Sequence, residues 1–367
     1  MKTGKIVKEF APTATNRRNS EGAFIRMSNG AIAFAYTRYR AGSEDGEGAD
    51  IAVSFSFDEG ETFGQEKIAF CYEDCNADNI MSVSLLDLGD GVIGVYYLKK
   101  SKGLLCQLCL RKTKDFVVFS EEKLCTSDNA YFVVNNDRVR RLKDGRVVFP
   151  ASYYDVSSKP ADVDNHNYHS SKWRMPPSSV WVYSSVDGEN FDVIAKIDNP
   201  FEILNVGGDC GLQEPGIVEC DGFLYIYIRN MSGRQLECKS TDGGYTWTTP
   251  TLSRFTSPPS PMSTLLMSNG DILVGYNPVP FYWGRHAKLD NWTGMRTPYV
   301  LEIANPDMTQ KTTPFAIESD EKSGYCYCAM FETKDGILLG YCAGSSNDQG
   351  GCLTRLRIRK IASQDLY

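Results

Sequence analysis

Glu214 and Arg229 are the residues of this 367-residue chain whose types and spacing first suggest chemistry. They stand at the two ends of QEPGIVECDGFLYIYIR, in which β-prone runs from Gly216 to Val218 and from Phe223 to Ile228 flank Cys220-Asp221-Gly222. Asp-Gly between such runs signals a hairpin. An antiparallel hairpin returns its last residue beside its first, so a carboxylate and a guanidinium are predicted at one end of one sheet. An arginine at the mouth of the apolar run LYIYIRN calls for an anionic partner. The pair puts a proton-accepting group beside an anion-holding one, and that sheet end is the candidate site.

The elements that must position this pair announce themselves next. Ser240 to Trp247, STDGGYTW, fits the S-x-D-x-G-x-T-W octapeptide known as the Asp box. Asp242 is placed to accept backbone amides, Gly243 and Gly244 permit positive φ, and Trp247 is an apolar plug under the turn. A second copy runs from Ser56 to Phe63, and a third, one residue short, from Ser185 to Phe191. Each follows an alternating apolar run, so the motif marks a structural repeat.

A hairpin repeats with it: an apolar strand, a polar turn ending in Gly, and a second apolar strand. The copies span Ala23 to Tyr36, Ser82 to Tyr97, Arg138 to Tyr153, Gly216 to Ile228, Ser263 to Tyr276 and Ala329 to Tyr341. The turn glycines Gly30, Gly91, Gly145, Gly222, Gly270 and Gly336 recur about every 60 residues, the length of a four-stranded propeller blade with loops. No helical periodicity interrupts them. The expectation is an all-β chain, a six-bladed β-propeller of four-stranded blades forming one domain over residues 1–367.

Composition agrees, since 12% aromatics with 32 Gly and 16 Pro suit short strands and tight turns. A net charge of −7 without a basic run argues against nucleic acid. No apolar stretch is long enough to span a bilayer. The N-terminus MKTGKIVKEF has no apolar signal region, and twelve cysteines then read as reduced thiols in a cytoplasmic protein. Cys106 and Cys109 form a lone CxxC inside an apolar run and are expected in the core, away from zinc. The insertion from Asp155 to Pro177, with Asp162, Asp164, His166, His169 and Trp173, reads as a solvated surface loop. With three histidines in the chain, Ser/His/Asp catalysis has little material, and His286 needs no role.

Asp boxes, six hairpins, a Glu-Pro opening the fourth unit with an Arg closing its hairpin, and a Tyr opening the sixth make the chain resemble the sialidase superfamily. The resemblance spans nearly the whole chain. It implies a six-bladed propeller, three arginines that hold the sialic acid carboxylate, a Tyr nucleophile activated by a Glu, and an Asp general acid/base. On that reading Glu214 is the activator, and Arg229 and Arg296 are two of the arginines. Tyr327 fills the nucleophile slot counted back from the turn glycine, with Tyr325 as the alternative. A neutral Tyr suits this sugar because a carboxylate nucleophile would meet the like charge beside the anomeric carbon.

The resemblance is weakest at the first arginine. Where the family has Arg-Ile-Pro, this chain has Asn16-Arg17-Arg18-Asn19-Ser20-Glu21-Gly22. Arg18 is the candidate, and Glu21, near the expected slot, either meets hydroxyl or amino groups of the sugar or pairs with Arg18. Arg138 adds charge to the site or pairs with Asp137. The general acid is expected on the acidic loop Arg38 to Asp50, which holds Glu44, Asp45, Glu47 and Asp50; Asp45 comes first and Asp50 second. The implied activity is a retaining exo-α-sialidase acting on a sialylated glycan or related anionic saccharide, with no cofactor. The rivals are a glycosidase for another ulosonic or uronic sugar and a non-catalytic glycan-binding propeller.

Overall fold

The computed structural model describes residues 3–126, 130–168, 170–200, 211–280, 293, 295–348 and 350–367. They are nearly all strand, turn and loop, with almost no helix. β1 (Lys5–Phe10) precedes the first hairpin, β2 (Asn19–Arg26) and β3 (Ile32–Tyr39), whose sheet continues with β4 (Ala49–Ser56) and β5 (Lys67–Phe70). The second hairpin, β6 (Asn79–Gly89) and β7 (Val92–Ser101), is followed by β8 (Leu105–Thr113) and β9 (Lys123–Leu124). β10 (Tyr131–Val133) leads to the third, β11 (Arg140–Arg141) and β12 (Val147–Tyr154), followed by β13 (Ser179–Ser185) and β14 (Asp192–Ile197). β15 (Gln213–Glu219), β16 (Leu224–Arg229), β17 (Arg234–Ser240) and β18 (Thr251–Thr256) make the fourth unit. β19 (Ser263–Leu266), β20 (Ile272–Tyr276), β21 (Tyr299–Ala304) and β22 (Phe315–Glu318) make the fifth. β23 (Cys326–Glu332), β24 (Gly336–Cys342) and β25 (Leu356–Ala362) make the sixth, and β1 is its fourth strand, pairing with β25.

All six hairpins expected from the sequence therefore form, and four of the units are separate four-stranded antiparallel sheets. The second and third depart from that plan and share one nine-stranded sheet. Tyr131 of β10 bridges Cys106 of β8 in parallel while β10 pairs antiparallel with β12, so one short strand joins the two units.

Strands such as β16 and β24 are buried along their whole length, which is why they read as nearly unbroken apolar runs. Apolar layers separate successive units. Tyr97, Val83 and Ile51 pack between the first and second, and Val148, Val182 and Ile226 between the third and fourth. Phe24 and Phe34 meet Phe10, Ala329, Leu338 and Ile358, so the sixth unit packs back on the first. Each such fully buried side chain contributes about 1.5–3 kcal/mol.

The three Asp boxes close the turns between third and fourth strands. Asp58 accepts from Thr62 N at 2.9 Å and Thr62 Oγ1 at 2.6 Å, and Asp242 repeats this with Thr246 at 3.0 and 2.6 Å. In the short copy Asn190 takes the Thr role, donating Nδ2 to Asp187 at 2.6 Å. A fourth turn of the same kind, Thr113 to Phe119, was not legible in the sequence. Asp115 there accepts from Val117 N and Val118 N at 2.8 and 2.9 Å, with Phe116 at φ 58° where a Gly is expected. Gly336 also differs from the other turn glycines. It does not have a positive φ, and it is needed because a Cβ there would overlap the carbonyl oxygen of Ile361.

Cys106 and Cys109 lie in two different apolar clusters on opposite faces of β8, as core thiols. The insertion before β13 corrects the surface-loop expectation. Val156, Val163 and Asn165 are buried, and Tyr168, Trp173 and Met175 pack on the layer between the second and third units. Asn165 Nδ2 donates to Ser101 O at 2.7 Å, while polar Asp162 and His166 stay exposed. Apolar residues spaced through a polar segment are what anchor it. His169 and His286 lie outside the described residues.

Candidate active site

One backbone device aims the site. Register slips occur between Ser20 and Ala23, Met81 and Ser84, Gln213 and Gly216, and Cys326 and Ala329 in the first strands of four hairpins. Within them Glu21, Ser82, Glu214 and Tyr327 adopt φ of 57°, 59°, 45° and 55°, and Asp137 before β11 adopts 58°. Such bulges bend a strand and re-aim one side chain, and each non-glycine residue held there costs roughly 1–3 kcal/mol. In the fifth hairpin the corresponding residue is Pro261, whose ring forbids positive φ.

Two of these residues meet across the molecule. Tyr327 donates its hydroxyl to Glu214 Oε1 at 2.8 Å, and Arg229 Nη1 lies 2.7 Å from Glu214 Oε2. Arg229 Nη1 also donates to the Tyr327 hydroxyl at 3.4 Å. Gln213 pairs with Arg229 in the β15–β16 register, so the hairpin brings acid and guanidinium to one sheet end as the sequence predicts. Ser152 Oγ accepts from Glu214 N at 2.8 Å and sets its backbone.

Arg296 Cζ stands 5.4 Å from the centre of the Tyr327 ring, with Nη1 donating to Cys326 Sγ at 3.1 Å and Nη2 to Pro259 O at 3.4 Å. Burial works against ionising Glu214, yet Arg229 and Arg296 outweigh it and hold the carboxyl below its usual range. Burial, then the Glu214 charge, push the Tyr327 phenol well above its usual value, although Arg229 and Arg296 pull it down. At neutral pH the pair is therefore a neutral phenol facing a carboxylate.

Arg18 is brought to the same region with four of its five N–H donors engaged. Nε donates to Ser20 Oγ at 3.0 Å, Nη1 to Ser43 O at 3.1 Å and Asp45 Oδ1 at 2.6 Å, and Nη2 to Glu21 Oε1 at 2.8 Å. Its guanidinium also lies over the Tyr39 ring, 4.4 Å from the centre. Glu21 is only 3% exposed, and its Oε2 accepts from Ser82 Oγ. Asp45 is the loop carboxylate that faces inward, with its side chain 40% exposed. Glu44 is exposed, and Glu47 turns its carboxylate back to Glu44 N at 2.8 Å.

Three expected residues lie elsewhere. Tyr325 packs in the core with Tyr299 and Tyr341, because the slip after Cys326 turns Tyr327, not Tyr325, toward Glu214. Asp50 is held by Arg40, two bonds of 2.9 Å, at the end of β4. Arg138 is buried with Nη2 on Met262 O at 2.8 Å and its guanidinium over Tyr227. It does not pair with Asp137, which the bulge turns toward Arg140 at 2.7 Å.

No local pattern in the sequence points to a site role for Asn136, Ser82 or Lys100. Asn136 Nδ2 donates to Gly22 O at 2.7 Å and Tyr327 O at 3.1 Å, joining the Glu21 and Tyr327 strands. Buried Lys100 donates Nζ to Asp45 O at 2.9 Å. Among the described residues, Asp50, Cys71 and Glu73 are the group close enough to share a metal ion, and Arg40 already bonds both carboxylates.

The BNR repeat-like domain family matches residues 36–339. No curated protein matches the chain. Among solved structures, a Dyadobacter fermentans protein of unknown function is 15% identical with a TM-score of 0.69, covering 98% of this chain and 100% of its own. The intramolecular trans-sialidase of Ruminococcus gnavus is 12% identical with a TM-score of 0.70, covering 99% and 98%. Trypanosoma rangeli sialidase, as a covalent intermediate with 2,3-difluorosialic acid, is 14% identical with a TM-score of 0.65 over 98% of this chain and 58% of its own. At such identities the likeness is one of fold. The chain belongs to the family of BNR repeat-like domains and has a sialidase-like propeller fold.

Proposed function

We propose that this protein is a retaining exo-glycosidase of sialidase type, a single six-bladed propeller that releases a terminal anionic sugar through a covalent bond to Tyr327. The observation that carries the reading is the 2.8 Å bond from the Tyr327 hydroxyl to Glu214 Oε1, with Arg229 in contact with both groups. As Tyr327 Oη attacks the anomeric carbon, Glu214 takes its proton. Arg229 and Arg296 offset the negative charge that develops on the phenol oxygen. A neutral nucleophile also approaches a carboxylate-bearing anomeric centre without like-charge repulsion. Asp45, after taking a proton from solvent, is the general acid for the leaving group, and the carboxylate so formed later activates the water that frees the sugar.

Sialic acid glycosides are the first substrates to try, and other ulosonic or uronic glycosides stay in view because Arg18 is bonded to Glu21 and Asp45. Thiols such as Cys75, Cys106, Cys109 and Cys238, buried in the apolar layers, fit a reducing compartment such as the cytoplasm. The experiment is hydrolysis of a fluorogenic sialoside by purified protein, with trapping by 2,3-difluorosialic acid and mass mapping of the adduct. A label on Tyr327 supports the reading. Binding without turnover of any anionic glycoside would make the protein a glycan-binding propeller.

A further inference from the structure

Glu21 is an ionisable residue on one of these bulges that the mechanism above leaves without a role, and unlike Asp137 it stands beside the Tyr327–Glu214 pair. It occupies the same backbone conformation as Glu214 and Tyr327, and a single amide, Asn136 Nδ2, reaches from the carbonyl beside it to that of Tyr327. An anion drawn to Arg229 and Arg296 therefore arrives next to a second buried carboxyl group. We propose that Glu21 couples anion binding to a proton: the site takes up a substrate carboxylate together with one proton from solvent, carried on Glu21. The proposal rests on the sialidase-type reading and adds its proton requirement.

The surroundings of Glu21 fix the sign. Arg18, preceding β2, bonds Oε1, and Ser82 of β6 donates to Oε2; both favour the charged form. Lys100, at the end of β7, does the same from a greater distance. Asp45 from the loop after β3 and Glu214 from β15 oppose it, while Tyr39 and Tyr327 are neutral phenols. Burial is the largest influence, and the balance raises the Glu21 carboxyl above its usual range. A substrate carboxylate adds one more negative charge and raises it further. Protonated Glu21 removes the repulsion and offers an O–H to the ligand. Above its pKa, proton uptake must accompany binding, so affinity for the anion falls as pH rises.

The test is calorimetric titration with 2,3-didehydro-2-deoxy-N-acetylneuraminic acid, a stable carboxylate analogue. It is run from about pH 5 to about pH 8 in two buffers of different ionisation enthalpy, so that proton uptake is read directly. The wild type is expected to take up close to one proton per ligand at the upper end, with Kd rising up to about tenfold per pH unit there. Glu21→Gln is expected to bind with a pH-independent Kd and no uptake. Ser82→Ala, which removes a hydrogen bond to the charged form, is expected to move the onset to higher pH, and it serves as the test if Glu21→Gln does not fold. Binding by wild type without proton uptake, or uptake that survives Glu21→Gln, overturns the proposal and leaves the sialidase-type reading standing. Absence of binding to the wild type at every pH overturns the proposal and counts against that reading as well.

Discussion

The Tyr327 hydroxyl donates to Glu214 Oε1 at 2.8 Å across 113 positions of sequence, from the first strand of the sixth hairpin to the first strand of the fourth. Both residues sit on positive-φ bulges, so the bond joins two points of backbone strain. Tyr327→Phe is expected to abolish turnover of a sialoside and labelling by the difluoro sugar. Glu214→Gln is expected to cost on the order of 10² to 10⁴ in kcat, because the phenol keeps its proton. Wild-type rates in both variants would remove the pair from the chemistry.

Arg229 contacts both members of that pair. Arg229→Lys keeps the charge and loses the planar fork, so KM for a carboxylate sugar is expected to rise about 10- to 100-fold, the worth of a charge-assisted bond. Steady-state kinetics on the free acid and on its methyl ester check this, with the ester a poor substrate for the wild type.

Asp45 and Asp50 separate by leaving group. Asp45→Asn is expected to lose about 10² to 10⁴ in rate on a natural sialoside and far less on one with an activated phenol. Asp50→Asn breaks the bonds to Arg40 instead, and a lowered Tm with rates near wild type is the expected result. The reverse pattern would move the acid role to Asp50.

Acid dependence follows from Glu214. Its carboxyl is held below the usual range, so the base form persists into acid and is lost only as pH falls through that depressed value. The acid limb of kcat/KM is therefore expected below the pH at which an ordinary carboxyl titrates, about 4.3. A pH–rate profile on a substrate with an activated leaving group reads it directly.

Phe34 tests closure of the sheets. Its ring is fully buried against Phe24 and Phe10 in the layer shared by the first and sixth units. Phe34→Ala is expected to cost about 3–5 kcal/mol in denaturant unfolding. A loss below about 1 kcal/mol would show that the first and sixth units contribute little to each other's stability.

The hairpins, their turns and three Asp boxes were legible because they are local: alternation, Asp-Gly and an octapeptide act within a few residues of themselves. Glu214 and Arg229 were legible for the same reason, since one tight turn brings them together. The fourth Asp-box-like turn carries no local signal because Phe116 holds the positive φ that a Gly would mark. What local pattern could not decide was which side chains the bulges turn inward. Tyr325 and Tyr327 are both apolar-strand tyrosines two positions apart, and only the slip between Cys326 and Ala329 sends one to Glu214 and the other to the core. Arg18 is a local sequence candidate, but its engagement with Glu21 and Asp45 depends on a loop, two strands and the Ser82 hydroxyl meeting in space. Sequence by itself determined the all-β repeat and the chemistry available at one sheet end. Tertiary structure alone decided the partners of each charge, because buried ion pairs form between strands whose separation in sequence carries no periodic signal.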